Sequence, residues 1–196
     1  ILDLPQGRLG VVSLTDNEPE WEAGEKKPGV HYIAYDAKGL VEPYRSRLAQ
    51  ILKQVRCQAD LVMVSAHVGP NWGPPSAAMR ALAYQIVDFG ADLYWGHSNH
   101  TPQGIELYKS RAILYSTGDF IDDYAVDSAE RNDLSFLFIL ELERGSATWY
   151  NGNYSKYIVQ KEHDLELLHA SFVQQQVDRS DNFRHWQFPH SLSVTC

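Results

Sequence analysis

The chain has 196 residues, of which 44% are hydrophobic and 21% charged, proportions typical of one ordinary globular domain. Its net charge of −8 argues against a nucleic acid or an anionic membrane surface as the main partner. Two cysteines, Cys57 and Cys196, are too few for a disulfide framework and leave the redox compartment open. No apolar run approaches the roughly 18 residues that a membrane span needs.

The first part of the chain predicts a buried strand, a short edge strand and a helix. Residues 8–14 form an apolar, β-branched run typical of a buried strand. A polar turn that contains Asp16 and Asn17 follows this run. Residues 31–35 could form a short edge strand. Residues 42–56 carry apolar side chains at helical spacing and predict the first helix.

The middle of the chain predicts a strand–helix–strand unit. Residues 60–65 are the clearest buried strand, and they lead directly to His67. After a loop rich in proline and glycine, Ser76 is a suitable N-cap for a helix over residues 76–89. The strand that follows, residues 92–95, would run parallel to the first one.

The remaining elements are shorter. A hairpin of two strands leads to a polar turn with Asp119, and an acidic loop then precedes a long apolar strand that turns back into another. A last helix follows, and the tail from residue 178 has no periodicity. The predicted elements are strands 104–108, 112–115, 134–142 and 147–150 and a helix over 164–177. We expect residues 178–196 to pack on the body, so that residues 1–196 form a single domain.

Two histidines leave the end of strand 92–95. Gly96 stops the strand, and His97, Asn99 and His100 follow at once. Imidazole is both the commonest side-chain metal ligand and the usual acid–base group near neutral pH. On these residues alone, part of a metal-dependent hydrolase site and a polar turn that happens to hold two histidines are equal alternatives.

The strand–helix–strand unit favours the site. Parallel strands place His67, His97 and His100 at the same carboxyl edge of the sheet, where open α/β sheets hold their ligands. We therefore predict these three residues as metal ligands, and imidazoles with oxygen co-ligands suit zinc, manganese, iron or nickel better than calcium. Trp72 and Trp95 could line a pocket beside them, although Trp95 fits the core better.

Other polar residues admit simpler interpretations. Taken singly, Asp16, Asn17 and Asp119 are expected turn residues at strand ends. The acidic loop is expected to be solvated, although carboxylates near a cationic centre could contribute to it. The other histidines are expected to be structural: His31, His163, His169, His185 and His190.

Several motifs occur in the order and spacing of one family. They are Ser65-Ala-His67-Val-Gly69, then Gly90-Ala-Asp followed by Gly96-His97-Ser-Asn-His100, and then Tyr115-Ser-Thr-Gly-Asp119-Phe. Over roughly residues 8–143 the chain resembles the bacterial poly-γ-glutamate capsule-synthesis proteins of the CapA/PgsA type. These proteins belong to the calcineurin-like metallophosphoesterase superfamily, which has a four-layer α/β/β/α fold. Gly-His-x-x-His by itself would be a weaker signal than the three motifs together.

The resemblance implies site roles. His67, His97 and His100 would be metal ligands, with His97 and His100 also catalytic, and the complete domain would hold one or two ions. Asp16, Asn17, Asn99 and Asp119 would lie in the surrounding shell. Asp119 stands where the family usually has Asn, so the resemblance implies for it only the shaping of the turn behind the site.

The superfamily's other ligand motifs do not occur in this chain. They would precede its first residue, so we expect an amino-terminal segment or a companion chain to supply them together with the first strands of the sheet. Either the chain is the carboxy-terminal part of such a domain, or its metal site is degenerate.

Two functions follow from the resemblance. The first is a metal-dependent phosphoesterase-like protein that acts in poly-γ-glutamate capsule biosynthesis or a related cell-surface process. The second is a non-catalytic subunit that binds or exports the polymer. The family favours the cell envelope, whereas the chain itself shows no targeting signal, so a cytoplasmic location stays open.

Overall fold

The computed structural model describes residues 1–5, 7–120, 125–136, 138, 140, 142–143, 146–147, 156, 159–167, 169–171 and 174. The chain divides into two compact units, Ile1–Thr148 and Trp149–Cys196. The predicted tail over residues 178–196 lies outside the described residues.

A mostly parallel six-stranded sheet forms the centre of the first unit, in the order β1-β2-β5-β6-β8-β7. Strands β2, β5, β6 and β8 run parallel, and β1 and β7 are antiparallel strands at the two edges. The six strands are β1 (Leu2–Leu4), β2 (Gly7–Thr15), β5 (Leu61–His67), β6 (Leu93–Gly96), β7 (Ile105–Tyr108) and β8 (Arg111–Leu114). This arrangement confirms the predicted mixed α/β fold, and β1 is an addition to it.

Two helices cover one face of the sheet. Helix α1 (Tyr44–Arg56) follows β2, and helix α2 (Ala77–Asp88) connects β5 to β6. The side chain of Ser76 accepts a hydrogen bond from the Met79 backbone N–H at 3.1 Å, as expected of an N-cap. The helices bury their apolar stripes against alternate strand residues, and this core includes Leu48, Leu52, Leu82, Ile86, Val62, Val64 and Tyr94.

The second face of the sheet is apolar as well. Successive strand residues point to opposite faces, so Val11, Met63 and Trp95 lie opposite the helix-covered core, and these three side chains are half-buried. An apolar cavity of about 330 Å³ lies at this face, lined in part by Met63, Trp95, Phe120 and Phe136. Parallel sheets normally have both faces covered.

The predicted edge strand over residues 31–35 is replaced by smaller elements. Tyr32 forms an isolated parallel bridge with Thr15, and β3 (Tyr35–Asp36) pairs with β4 (Gly39–Leu40) in a short hairpin. A 3₁₀ turn, Pro19–Trp21, lies in the loop before them. The segment beside β2 is therefore a series of short pairings.

The prediction of one long strand over residues 134–142 is wrong for residues 134–136, 138 and 140. These residues belong to no β-ladder. Among the described residues of this region, only β9 (Leu142–Glu143) is paired, with β10 (Ser146–Ala147). An apolar run forms a stable strand only when a neighbouring strand accepts its hydrogen bonds. Leu134 and Phe136 remain largely exposed.

The last predicted helix begins earlier than its periodicity suggested. Residues 159–167 and 169–171 are helical, whereas the prediction began at residue 164. The predicted helix positions 168, 172, 173 and 175–177 lie outside the described residues. Within the described part of the chain, no helix is both long and apolar enough to cross a bilayer.

Candidate functional site

The carboxyl ends of three neighbouring strands bring Asp16, His67 and His97 side by side. Thr15 at the end of β2 is paired with His67 on β5, and Ala66 is paired with Gly96 on β6. The Asp16 N–H donates to the His67 carbonyl at 3.4 Å, and the His97 N–H donates to the Ala66 carbonyl at 3.1 Å. The parallel register is the reason that residues far apart in sequence share this edge.

The imidazoles of His67 and His97 face each other. Their ring centroids lie 5.5 Å apart with an interplanar angle of 50°. Two imidazoles that bind one ion tetrahedrally, through nitrogens at about 2.1 Å, have centroids roughly 5 Å apart. The spacing of this pair is therefore compatible with a shared ion.

His97 is the better enclosed of the two rings. Its Nε2 lies 2.9 Å from the Ser65 hydroxyl oxygen, and the Trp95 ring packs beside it with centroids 5.0 Å apart. Burial lowers the pKa of His97, and the nearby His67 lowers it further. His97 is therefore held in the neutral form, which is the form that binds a metal ion or accepts a proton.

His100 has a different set of neighbours. Its Nδ1 lies 3.0 Å from both carboxylate oxygens of Asp119, and the Trp72 ring lies beside it with centroids 5.2 Å apart. The Asn132 side chain, itself buried, donates to Asp119 at 3.3 Å. The structure thus places His100 in a His–Asp–Asn chain of hydrogen bonds.

The loop that carries His97 and His100 is fixed to the loop after β5. Asn99 is buried, and its amide nitrogen donates to the carbonyls of Pro70 at 3.3 Å and Gly73 at 3.0 Å. Ser98 donates to the Gly69 carbonyl at 2.8 Å. These bonds hold the segment with Trp72 against His100, so Asn99 has a structural role behind the site.

Asp16 ties the end of β2 to the same region. One carboxylate oxygen accepts hydrogen bonds from the Gly69 N–H at 3.0 Å and from the Tyr35 hydroxyl at 3.1 Å. The other oxygen is buried and has no hydrogen-bond partner in the described part of the structure. Asn17 is exposed, and its backbone N–H bonds to the Thr15 hydroxyl at 3.1 Å, as in a turn.

These residues fit a metal ion only in part. His67 and His97 are two suitably spaced donors, and the unpartnered oxygen of Asp16 lies on the adjacent strand end. Among the described residues, however, no group of three or more His, Cys, Asp or Glu side chains is arranged to hold an ion. Structural zinc sites take four protein ligands and catalytic ones take three, so this edge needs further donors.

Another of the sequence motifs, Gly90-Ala-Asp92, has a structural role in the fold. Gly90 ends α2 with a φ of +108°, which favours glycine. Asp92 is buried at the amino end of β6 and accepts a hydrogen bond from the Val62 N–H at 2.8 Å. It forms ion pairs with Arg56 and Arg111. This clamp lies at the opposite end of the strand from His97.

Three residues whose side chains hydrogen-bond to His97, Asp16 or Asp119 were not predicted from the sequence. Ser65 precedes His67 by two positions and so shares its face of β5, a periodicity that could have identified it. Tyr35 and Asn132 are brought in by tertiary contacts that no local pattern predicts. Of the remaining histidines, His31 bonds through Nδ1 to the Ser13 carbonyl at 3.2 Å, His163 and His169 are exposed in the second unit, and His185 and His190 lie outside the described residues, as do Asp122 and Asp123.

Comparison with known proteins gives consistent matches for the amino-terminal part. A family model described as a bacterial capsule synthesis protein matches residues 1–124, which confirms the resemblance that the motifs predicted. A model described as an ABC transporter matches residues 140–182, a segment that lies largely outside the described residues.

Individual relatives match parts of the chain. A probable polyglutamine synthesis accessory protein of Mycobacterium tuberculosis is 39% identical over 116 residues, which is 58% of this chain and 30% of that protein. The capsule biosynthesis protein CapA of Bacillus anthracis is 44% identical over 66 residues, or 33% of this chain and 16% of the relative. The PGA biosynthesis protein CapA of Bacillus subtilis is 35% identical over 74 residues, or 37% and 20%. The chain thus spans less than a third of the length of these relatives.

Proposed function

Because the chain belongs to the bacterial capsule synthesis protein family, we propose that it acts in poly-γ-glutamate capsule biosynthesis at the cell envelope, as part of a metal-dependent phosphoesterase-like domain. The observation that carries this proposal is the pair of His67 and His97 rings at the carboxyl edge of the sheet, followed along the chain by His100 with its partner Asp119. The names of the relatives support the biological process.

The proposed complete domain is a four-layer α/β/β/α sandwich. The half-buried apolar face of β2, β5 and β6 supports this, since a second sheet packed there would cover it. An amino-terminal segment or a companion chain would supply that layer together with the remaining ligands. Among the described residues, no group of three or more His, Cys, Asp or Glu side chains is arranged to hold an ion, and this agrees with the proposed division.

In this proposal His67 and His97 hold a divalent transition metal, namely manganese, zinc, iron or nickel, with one or two ions in the complete domain. When bound, such an ion would supply Lewis-acid activation of a phosphoester. The burial of His97 keeps its imidazole neutral and ready to ligate, and Trp95 shields one side of the ring from water.

His100 has the arrangement of a proton carrier. Asp119 accepts the Nδ1–H and fixes the ring, which leaves Nε2 as the nitrogen that exchanges a proton with a leaving oxygen or a water molecule. Trp72 packs against the ring and limits its rotation. The role of a third metal ligand, which the sequence predicts for His100, is the competing assignment for this nitrogen.

The test is to load the complete protein, including the segment or chain that would supply the remaining ligands, with Mn²⁺, to measure bound metal by elemental analysis, and to follow hydrolysis of bis(p-nitrophenyl) phosphate. We expect His97→Ala to lose bound metal and activity together. His100→Gln should keep its metal and lose about 10²- to 10⁴-fold in turnover, as when a general acid–base group is removed. His163→Ala, an exposed histidine in the second unit, is the matched control.

The outcomes separate the assignments. If His97→Ala kept the metal content and the hydrolysis rate of the wild type, the phosphoesterase proposal would be refuted. Loss of metal in His100→Gln would make His100 a ligand and not a proton carrier.

A non-catalytic polymer-binding or export subunit is the second candidate. It is favoured by the finding that the described residues form no three-ligand cluster. A net charge of −8 disfavours an anionic polymer unless an ion or a local basic patch supplies the attraction. Titration calorimetry with poly-γ-glutamate, with and without Mn²⁺, tests it: binding without metal or hydrolysis would favour this subunit.

A further inference from the structure

We propose that Ser65 is a positioning residue for His97: the Ser65 hydroxyl fixes the orientation of the imidazole so that the ring faces His67. The inference rests on the proposed function only for its metal-binding consequence. Neither the sequence motifs nor the family match assigns a role to this serine.

The sheet register brings the two side chains together. Ser65 is paired with Trp95 across β5 and β6, and His97 follows Trp95 by two residues. Ser65 and His97 therefore belong to the same face of the sheet, on adjacent strands and one step apart along them. This diagonal relation lets the Ser65 hydroxyl reach Nε2 at 2.9 Å.

The hydrogen bond completes the enclosure of the His97 ring. Trp95 and His67 pack against the ring, with centroids 5.0 and 5.5 Å away, and both contacts tolerate rotation of the imidazole by half a turn. The Ser65 bond distinguishes the ring nitrogens, because a half-turn would place a carbon atom where Nε2 meets the hydroxyl. Ser65 thus favours one of the two ring orientations, together with the hydrogen bond of the ring to the His97 backbone.

This selection bears directly on the pairing with His67. Histidines that bind metals almost always engage their second ring nitrogen in a hydrogen bond, which fixes the tautomer and the orientation, and loss of that partner typically weakens metal binding by 10- to 100-fold. Ser65 would be such a partner for His97. A serine retained only for packing would have no such effect.

The experiment compares wild type with Ser65→Ala, Ser65→Thr and Ser65→Val. Threonine and valine have nearly the same shape and are both tolerated in strands, so their difference isolates the hydroxyl from any cost of folding. Ser13→Ala is the matched control, since Ser13 is paired with Ser65 on the neighbouring strand β2 and its backbone carbonyl, not its side chain, contacts His31.

Two quantities are measured on the complete protein. The first is the orientation of the His97 ring, read without metal at pH 8 from nuclear Overhauser contacts of its Hδ2 and Hε1 protons with Trp95 and His67. We expect a single orientation in wild type, Ser13→Ala and Ser65→Thr, and two orientations in Ser65→Val and Ser65→Ala. The second is the dissociation constant for Mn²⁺, which should rise about tenfold or more in Ser65→Val relative to Ser65→Thr.

The two measurements fail independently. An identical orientation of the His97 ring in Ser65→Thr and Ser65→Val would overturn the positioning role, whatever the metal affinity. If wild type binds no Mn²⁺, the proposed metal site fails, while the comparison of ring orientations still decides the role of Ser65. Equal Mn²⁺ affinity in the two variants, despite a changed ring orientation, would overturn the metal-binding consequence.

Discussion

Removal of the Asp92 carboxylate should destabilise the fold without altering the histidine edge. The Asp92 side chain is 2% exposed, and it lies 2.9 Å from Arg111 in an ion pair whose angles fall outside those of a hydrogen bond. It also bonds to Arg56 and accepts the Val62 N–H. One carboxylate therefore links α1, β5, β6 and β8.

The expected cost follows from what each substitution leaves behind. Breaking a buried ion pair from one side costs about 3–5 kcal/mol, and an unsatisfied buried N–H, here that of Val62, costs about 1–3 kcal/mol. The side chains of Arg56 and Arg111 are 36% and 31% exposed, so water can recover part of their solvation. We expect Asp92→Ala to lose about 3–4 kcal/mol. Asp92→Asn should lose about 1–3 kcal/mol, because an amide oxygen can still accept the Val62 N–H.

Urea unfolding followed by circular dichroism measures this difference, and the ¹⁵N shifts of His97 in the folded state check that its environment is preserved. The matched control is Asp88→Ala, which removes a surface ion pair with Lys109 in which the two side chains are 41% and 62% exposed. Such pairs contribute at most about 1 kcal/mol. If Asp92→Ala were no more destabilising than Asp88→Ala, the clamp would not stabilise the sheet as argued.

Two further predictions concern the strand end and its histidines. Gly96→Ala should destabilise the fold by about 1–3 kcal/mol, because an added Cβ would lie 2.1 Å from the backbone carbonyl oxygen of Tyr115, the residue that follows β8. Gly104→Ala, whose added Cβ would meet open space, is the control. Equal urea midpoints in the two variants would contradict this prediction. Burial lowers the pKa values of His31 and His97 from their usual 6.5. The unfolded chain therefore binds more protons than the folded one near and below pH 6.5, and the free energy of unfolding should fall as the pH falls from 7.5 to 5.5. The double variant with Gln at both positions should flatten this profile, and an unchanged slope would show that other groups cause it.

The helices and strands that could be predicted are those whose side-chain pattern agrees with the contacts they make in the fold. Ser76 caps the amino end of α2, and Gly90 ends the helix with a positive φ. Both signals are local, so both ends of that helix could be predicted. Residues 134–142 have a strand-like composition, but residues 134–136, 138 and 140 are not in a ladder, since pairing depends on a partner that composition does not specify. Strand β1 was missed because three exposed residues, Leu2–Leu4, carry almost no pattern.

The site was predicted in part for a comparable reason. The parallel strand–helix–strand rule correctly brought His67 and His97 to one edge, because it depends only on chain topology. It did not specify that His100 pairs with Asp119, or that Ser65 binds His97, since these contacts depend on side-chain direction. The chemistry of each histidine is therefore determined by neighbours that a spacing motif does not contain.

Asp119 shows how one such neighbour changes the chemistry. An asparagine at this position could accept a hydrogen bond from His100 through its oxygen or donate one through its nitrogen, so either ring tautomer would be satisfied. An ionised carboxylate only accepts, and both of its oxygens lie 3.0 Å from Nδ1, so Nδ1 must carry the proton. Asn132 donates to the same carboxylate and helps to hold it in place. With Nδ1 carrying the proton, the Nε2 of neutral His100 is left to accept a proton or to bind an ion. An asparagine at this position would not impose this restriction on the imidazole.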